Sequence, residues 1–392
     1  MRYVSPRFAT ADQSSDKRAR FVVMIEFDTG SIYCTSHVGI SGVPGIVLDG
    51  ILENVDAVSQ RIVPDEGRSE IGSMSFSLVD RNAAVTDAFR TKLVALKGLR
   101  GKTVRLYRGF EGFTWSEFSL FQTQVIYDAE FDFGTYKIEC ADITREQRKE
   151  IFEPKATTLR LSCTDTDTTI AVYDTSAFLG VEHGAAWSDG PSGTYVYFKV
   201  QDEIIRAPVA DKTPDSFTNC TRGALNTRAK AHAVDAATAA DQRTKVEEVI
   251  YLELPAAKLA YAILTGVIHG TSSTLPAHWH LGISTTMVEL GDFTGIGADL
   301  WDTTDDSNGL TLRFAQEEAQ DGKAFLEKQV YTVMGCFSPV YADGKLGLRR
   351  MAALTSDAAS VLTLTEDHIV SHSGLSYDMP GLINDFQIDW SY

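Results

Sequence analysis

The chain has 392 residues and a formal net charge of −17, with 53 Asp and Glu against 36 Lys and Arg. That length favours two or three domains, and 44% apolar residues are enough for a sizeable core. The acidic balance argues against sequence-specific nucleic-acid binding, where Lys and Arg neutralise phosphate; it is compatible with an acidic channel along which DNA slides without sticking.

Residues 1–19 are polar and rich in Ser, Asp and Arg, and read as an N-terminal arm. No apolar h-region is visible there, so no secretory signal is expected. Residues 21–27 and 32–37 read as strands joined by the turn Asp28-Thr29-Gly30. Residues 39–50, with four glycines and a proline, read as a loop, and 51–63 as an edge strand pair. Met74, Phe76 and Leu78 alternate with serines, the period of a strand with one buried face. Asn82 can cap a following helix in which Val85, Ala88, Phe89, Leu93 and Leu96 recur at helical spacing, with Gly98 at its stop. Val104 and Leu106 then share one face of a strand over 102–108. Strands over 118–127 and 135–140 follow, the second with Tyr136, Ile138 and Cys140 on one face.

Residues 141–156 are charged and close at Pro154, and read as a short helix and a boundary. Residues 157–250 differ in composition, with short strands at 195–200 and 204–206 and Gly/Ser-rich turns. Residues 246–254 read as a strand and 255–267 as a helix with Pro255 at its start. The longest apolar stretch, 259–268, is too short to span a bilayer, which takes roughly 20 residues. Residues 280–283 and 310–314 read as strands. Asp321 can cap a helix carrying Leu326, Val330, Val333 and Met334. Strands at 338–341 and 346–350 flank the hairpin signal Asp343-Gly344, and 383–390 alternate as a last strand.

Strand, helix, strand thus occurs twice, at 71–108 and 311–350. The expected fold is mainly β with α (α+β): two β-barrel domains, each with a packed helix, and a small inserted β domain. The boundaries are an arm at 1–19, a first barrel at 20–156, an insert at 157–250, and a helical connector with a second barrel at 251–392.

The motifs that could carry chemistry fail on spacing. In Gly98-Leu99-Arg100-Gly101-Lys102-Thr103 the first P-loop glycine position holds Leu96, and the order runs helix to strand. His278 and His280 lack further metal ligands at a recognisable spacing. Around Asp302, Asp305, Asp306, Asn308 and Gly309, Thr304 and Ala315 occupy positions a calcium loop needs for ligands. Asn219-Cys220-Thr221 fits a glycosylation acceptor only in a secreted chain. Neither Gly-x-Ser-x-Gly nor His-Glu-x-x-His occurs. No residue is assigned a catalytic, cofactor-binding or metal-ligating role, and no enzyme is expected. The five cysteines, Cys34, Cys140, Cys163, Cys220 and Cys336, are odd in number, without a CxxC, and suit reduced thiols packed as small hydrophobes.

Several stretches resemble the baseplate hub or tail-tip proteins of tailed bacteriophages, whose domains are tail-tube-like barrels. Residues 71–82, from Ile71-Gly72-Ser73-Met74 to Asp80-Arg81-Asn82, resemble the strand entering the family's barrel helix. Thr221-Arg222-Gly223-Ala224-Leu225-Asn226-Thr227, followed by Ala231-His232, is similar to a recurring "TRGALGT…AH" stretch, with Asn226 in place of glycine. Leu275-Pro276-Ala277-His278-Trp279-His280-Leu281-Gly282-Ile283, residues 337–349 and Asn384 are similar to further family stretches. The resemblance spans about 50–392 and rests on the order of these stretches.

The resemblance implies a homotrimer whose two barrels per subunit make a pseudo-sixfold ring. That ring would adapt a sixfold tail tube to a threefold tip and help close the tail until DNA ejection. The implied partners are tail-tube and distal tail proteins, tail-tip or central fibre proteins, and a tape-measure protein, with genome DNA passing through the channel. The implied location is the virion, in the tail baseplate, assembled in the bacterial host cytoplasm. The expectations are a ring with both barrels around the axis, the insert outside it, and acidic side chains lining the channel. The rival reading is a host-surface carbohydrate-binding adhesin, with Trp187, Tyr195, Tyr197 and Phe198 stacking on sugars.

Overall fold

Alternation of apolar and polar side chains builds the first sheet. The computed structural model describes residues 7–8, 18–27, 29–56, 60–63, 68–71, 73–92, 98–141, 148–183, 192–234, 244–271, 273–301 and 309–351. β1 (Ala19–Phe27) and β2 (Gly30–Thr35) form a hairpin with Phe27 opposite Gly30. Residues 39–50 are not all loop: β3 (Ile46–Leu48) runs parallel to β2. β4 (Leu52–Val55) follows, then a separate hairpin of β5 (Gln60–Val63) and β6 (Arg68–Ile71). β7 (Met74–Val79), β8 (Thr103–Phe110), β9 (Ser119–Asp132) and β10 (Thr135–Ala141) complete a ladder in the order β3-β2-β1-β8-β9-β10-β7-β4.

Every strand of this ladder contributes to one apolar cluster, among them Val23, Ile32, Leu52, Phe76, Leu106, Ile126 and Ile138. A flat ladder of eight strands would spread over roughly 34 Å at about 4.8 Å per spacing, so the sheet must curl to share one cluster. The ladder stays open, but its two edges are neighbouring pieces of chain joined by Ile51. The Ile51 N–H donates to the Thr35 carbonyl (3.0 Å) and its own carbonyl accepts from the Val79 N–H (2.8 Å).

Helix α1 (Ala84–Lys92) lays Val85, Ala88 and Phe89 on the cluster. Its start is held by Asp80 rather than by Asn82. Asp80 Oδ1 accepts from the N–H groups of Val85 (2.7 Å) and Thr86 (3.2 Å), and Oδ2 from the Thr86 hydroxyl (2.6 Å). Asn82 sits in the left-handed region (φ 53°), inside a 3-10 turn. Leu93 and Leu96 lie outside the described residues.

β1 is buried on both faces. On the outer face Val22 and Met24 join Tyr33, Phe110, Phe113 and Phe118, and Phe8 closes this second cluster. Arg7 donates to Glu117 (2.7 Å) and lies over the Phe113 ring. Arg7 and Phe8 of the expected arm are therefore docked.

The next segment is organised by one long strand. β11 (Glu150–Ile151), expected within a helix, is a strand because Ile151 and Phe152 are both buried in the apolar interior. β12 (Ala156–Thr158), β13 (Ile170–Ala171), β14 (Val181–His183), β15 (Gly193–Val200), β16 (Glu203–Pro208), β17 (Lys212–Thr213) and β18 (Ser216–Phe217) are short. β19 (Lys245–Pro255) pairs with β12 and β15 through its first half, and with β20 (Thr311–Gln316) through its second. The expected boundary at 250 falls inside it.

Helix α2 (Ala256–Thr265) is buried at every position but Lys258. A helix apolar all round needs cover all round, so later segments wrap it. The N–H groups of Leu275, Leu281 and Ile283 donate to the carbonyls of Gly266, Ile263 and Leu264 (2.8, 2.8 and 2.9 Å). Residues 280–283 are consequently a loop serving the helix end, not the expected strand. α3 (Leu290–Thr294), α4 (Ala298–Trp301) and β21 (Gln320–Asp321), the partner of β11, follow. Asp321 caps the next helix by accepting from the Ala324 N–H (2.8 Å), as its position suggests. That helix runs as Gly322–Phe325, a π segment Leu326–Tyr331, and Thr332–Met334.

Among the described residues 251–351 contain no second curled sheet. β22 (Cys336–Phe337) pairs with β23 (Arg349–Arg350), and the expected strands at 338–341 and 346–350 reduce to a Val340–Leu346 bridge around a tight turn at Gly344. The core here is built on α2. The described residues up to 351 form one compact unit; the strand expected at 383–390 lies outside the described residues. One cluster joins Val181, Tyr197, Ile204 and Ala224 to α2, so 157–250 share a core with residues beyond 250. The architecture is mostly β with some helices, in several sheets. No described helix is long and apolar enough to cross a membrane. All five cysteines are free and buried, and burial pushes Cys34, Cys140 and Cys220 up to about 12.

Replacing Asp80 by Ala should lower stability by about 1–2 kcal/mol, the worth of a lost N-cap, with Asp80→Asn costing less. Urea unfolding midpoints measure it; an unchanged midpoint would show that the carboxylate does not hold the helix start.

Candidate functional site

The densest polar chemistry lies at the β15–β16 turn. Glu203 opens β16 with its side chain fully buried. A lone carboxylate there would be expelled or protonated, but this one is surrounded by donors. Arg222 forks onto it, Nε to Oε1 (2.8 Å) and Nη2 to Oε2 (2.7 Å). The N–H groups of Gly223 (3.1 Å) and Lys230 (3.2 Å) donate to it, and His232 Nε2 is 2.7 Å from Oε2. The remaining Arg222 donors reach the carbonyls of Thr164 (2.5 Å), Asp167 (3.1 Å) and Lys230 (2.6 Å). All five guanidinium N–H groups are thus used. His232 also meets Gln201 Oε1 (3.2 Å) and exchanges two backbone bonds with Cys163 (2.9 Å each).

Burial alone would raise the Glu203 pKa. The bonds from Arg222, His232, Lys230 and Gly223 outweigh it and hold the carboxyl at about 2. With both oxygens engaged inside the chain, the arrangement clamps three stretches, near 163–167, 201–203 and 221–232.

This clamp is the stretch Thr221-Arg222-Gly223-Ala224-Leu225-Asn226-Thr227…Ala231-His232. Gly223 has φ +62°, and a Cβ there would stand 2.7 Å from the Thr227 carbonyl. Asn226 has φ 63°. Asn tolerates that left-handed conformation and glycine adopts it freely, so either residue serves the turn.

Other residues singled out from the sequence are dispersed. Tyr197 and Phe198 are buried, Phe198 stacked on Phe217 (4.4 Å) and Tyr197 against Tyr251 (5.0 Å). Tyr195 lies under the Arg206 guanidinium (4.9 Å), and Trp187 is outside the described residues. Tyr197 and Phe198 are core, and Tyr195 is half-buried against it. His278 Nε2 is 2.9 Å from both Glu248 Oε2 and Trp279 Nε1. His280 packs on Gly266, and burial, then Lys149 and His278, lower its pKa. Among the described residues no three His, Cys, Asp or Glu groups are placed to hold a metal. Residues 98–103 turn from α1 toward β8, with the Gly101 N–H on the Ile126 carbonyl (2.8 Å). The Asn219 amide donates to Asp211 Oδ2 (3.0 Å). Asp302, Asp305, Asp306 and Asn308 lie outside the described residues.

The outer end of the β9–β10 hairpin, with Phe131 and Phe133 exposed, was not singled out from the sequence. Its signal is the run Asp128-Ala129-Glu130-Phe131-Asp132-Phe133-Gly134, where acids alternate with apolar residues up to the turn.

Glu203→Gln should cost roughly 3–5 kcal/mol, because it leaves the Arg222 charge buried without its partner. Glu203 is held below the ordinary 4.5 at about 2, so its contribution is complete above pH 4.5. It is lost as pH falls toward about 2, where the unfolded chain binds a proton that the folded chain refuses. Urea unfolding of both proteins at pH 7 and pH 3 measures this; an equal acid loss in Glu203→Gln would assign it elsewhere.

No family model matches the chain, and no curated protein does. Among solved structures, a chain from the virion of a native gene transfer agent particle is similar at a TM-score of 0.31 and 13% identity, over 62% of this chain and 84% of that one.

Proposed function

We propose that this chain is a structural virion protein, the baseplate or tail-tip hub of a tailed, phage-like particle. The observation that supports the reading best is the curled sheet of 19–141 around one apolar cluster, with α1 laid against it. That is the arrangement the tube-type resemblance implies. In this reading a homotrimer adapts a sixfold tube to a threefold tip and helps hold the tail closed until DNA ejection. Tube, distal tail and tape-measure proteins contact one side, and tip or central fibre proteins the other. The protein acts by binding and shape, without catalysis or a cofactor. A second tube-like element would have to draw on residues beyond 351, since 251–351 are built on α2. Acidic side chains, which repel phosphate, line the channel.

An image of the assembled particle tests the reading. The expected result is a threefold ring with 19–141 around the axis and 157–250 outside. A single copy per particle, or a sixfold ring of whole chains, would sink it.

A further inference from the structure

One loop closes the C-terminal end of α2 and pins a second segment at the same time. Within residues 275–283 the N–H groups of Leu275, Leu281 and Ile283 donate to the helix-end carbonyls, and the His278 carbonyl accepts from the Phe152 N–H (2.8 Å). Phe152 is fully buried yet has φ 59°, a left-handed conformation that costs a non-glycine residue about 1–2 kcal/mol. The loop therefore holds both the end of a buried helix and a strained turn between β11 and β12. Glu248 of β19 completes the joint: its Oε2 accepts from the Lys155 N–H (3.1 Å) and lies 2.9 Å from His278 Nε2.

His280 sits where this loop meets the helix. Its ring lies against Gly266, where a Cβ would stand 2.6 Å from Nε2. Its Nδ1 is buried, and no group among the described residues bonds to it. A neutral imidazole carries one N–H, whereas an imidazolium carries two, and each needs an acceptor. A charged N–H left without one in the interior is costly. The surrounding charges oppose a proton as well: burial first, then Lys149 ahead of β11 and His278 on the loop, lower the His280 pKa from the ordinary 6.5. A helix C-terminus attracts cations, but the carbonyls of Ala262, Ile263, Leu264 and Gly266 already accept N–H bonds. The nearby carboxylate oxygen, Glu248 Oε2, is engaged by His278 and Lys155.

We propose that His280 is an acid-sensitive latch: when it takes up a proton from solvent, loop 275–283 leaves the end of α2 and Phe152 is released with it. Opening carries the ring into water, where both N–H groups find acceptors. The latch is independent of the ring reading above. Its sign follows from linkage. The closed loop favours the neutral ring, so it is fully held above pH 6.5 and loses its hold as pH falls below that value. One proton taken up per opening raises the opening constant by at most about tenfold per pH unit.

Hydrogen exchange of the full chain between about pH 7.5 and about pH 5.5, expressed as protection relative to free peptide, tests the latch. The amides of Leu275, Leu281, Ile283 and Phe152 should lose protection together, while those of Val23 and Leu106 in the curled sheet keep theirs. His280→Gln, neutral at every pH, should abolish the dependence. In an NMR titration of the wild type the His280 ring should have its midpoint below 6.5, and His278→Gln, which removes a facing charge, should raise it. Protection that stays flat in the wild type overturns the latch, as does a His280 midpoint at or above 6.5. An equal acid loss in His280→Gln also overturns it and assigns the opening to His278 or Glu248. If His280→Gln does not fold, the wild-type midpoint and its agreement with the loss of protection decide.

Discussion

A buried strand must satisfy its backbone polar groups along both edges, because an N–H or C=O left unpaired away from water costs about as much as a lost hydrogen bond. β19 is such a strand. Val246 belongs to the cluster around Phe198, whereas Val249, Ile250, Leu252 and Leu254 belong to the cluster around α2. Its backbone draws in β12, β15 and β20 from three distant parts of the sequence. The Glu248 N–H adds a bond to the Lys155 carbonyl (2.7 Å). One strand thereby ties two cores together, and 157–250 cannot be lifted out without stripping its edge.

The Glu203 clamp works at a different scale. It joins turns through groups that are costly to bury unless every bond is made. The fork from Arg222, two backbone donors and His232 meet that condition on the carboxylate side. The three carbonyls meet it on the guanidinium side. The stretch that carries the resemblance is therefore a set of backbone and charge requirements for one turn, which explains its residue types without any reaction.

Local patterns were legible wherever one face is buried and the other is wet. Met74, Phe76 and Leu78 alternate in burial as their spacing suggests, and α2 follows Pro255 as expected. Pairing was less legible. The second strand–helix–strand order at 311–350 resembles the first locally, but order does not specify partners, and the neighbouring helix was apolar enough to gather its own core. The helix cap went to Asp80 because its two oxygens reach forward to Val85 and Thr86, a geometry that spacing does not reveal. Of the clamp, Thr221 to His232 stood out as a motif, but its counter-ion Glu203 looked like one acid among many. The aromatic hairpin tip was missed because an alternating run reads as an ordinary strand until its exposure is known.

The burial of the thiols has a practical side. Alkylating reagents attack thiolates, and Cys34, Cys140, Cys220 and Cys336 are all shielded and shifted well above neutral pH by burial, with Cys163 shifted in the same direction. A cysteine introduced at an exposed position would therefore be the one thiol that reacts at pH 7. Fluorescent or spin labels can be attached to the otherwise native sequence, and distances between subunits read in solution, without first removing a cysteine from any of the three cores that hold them.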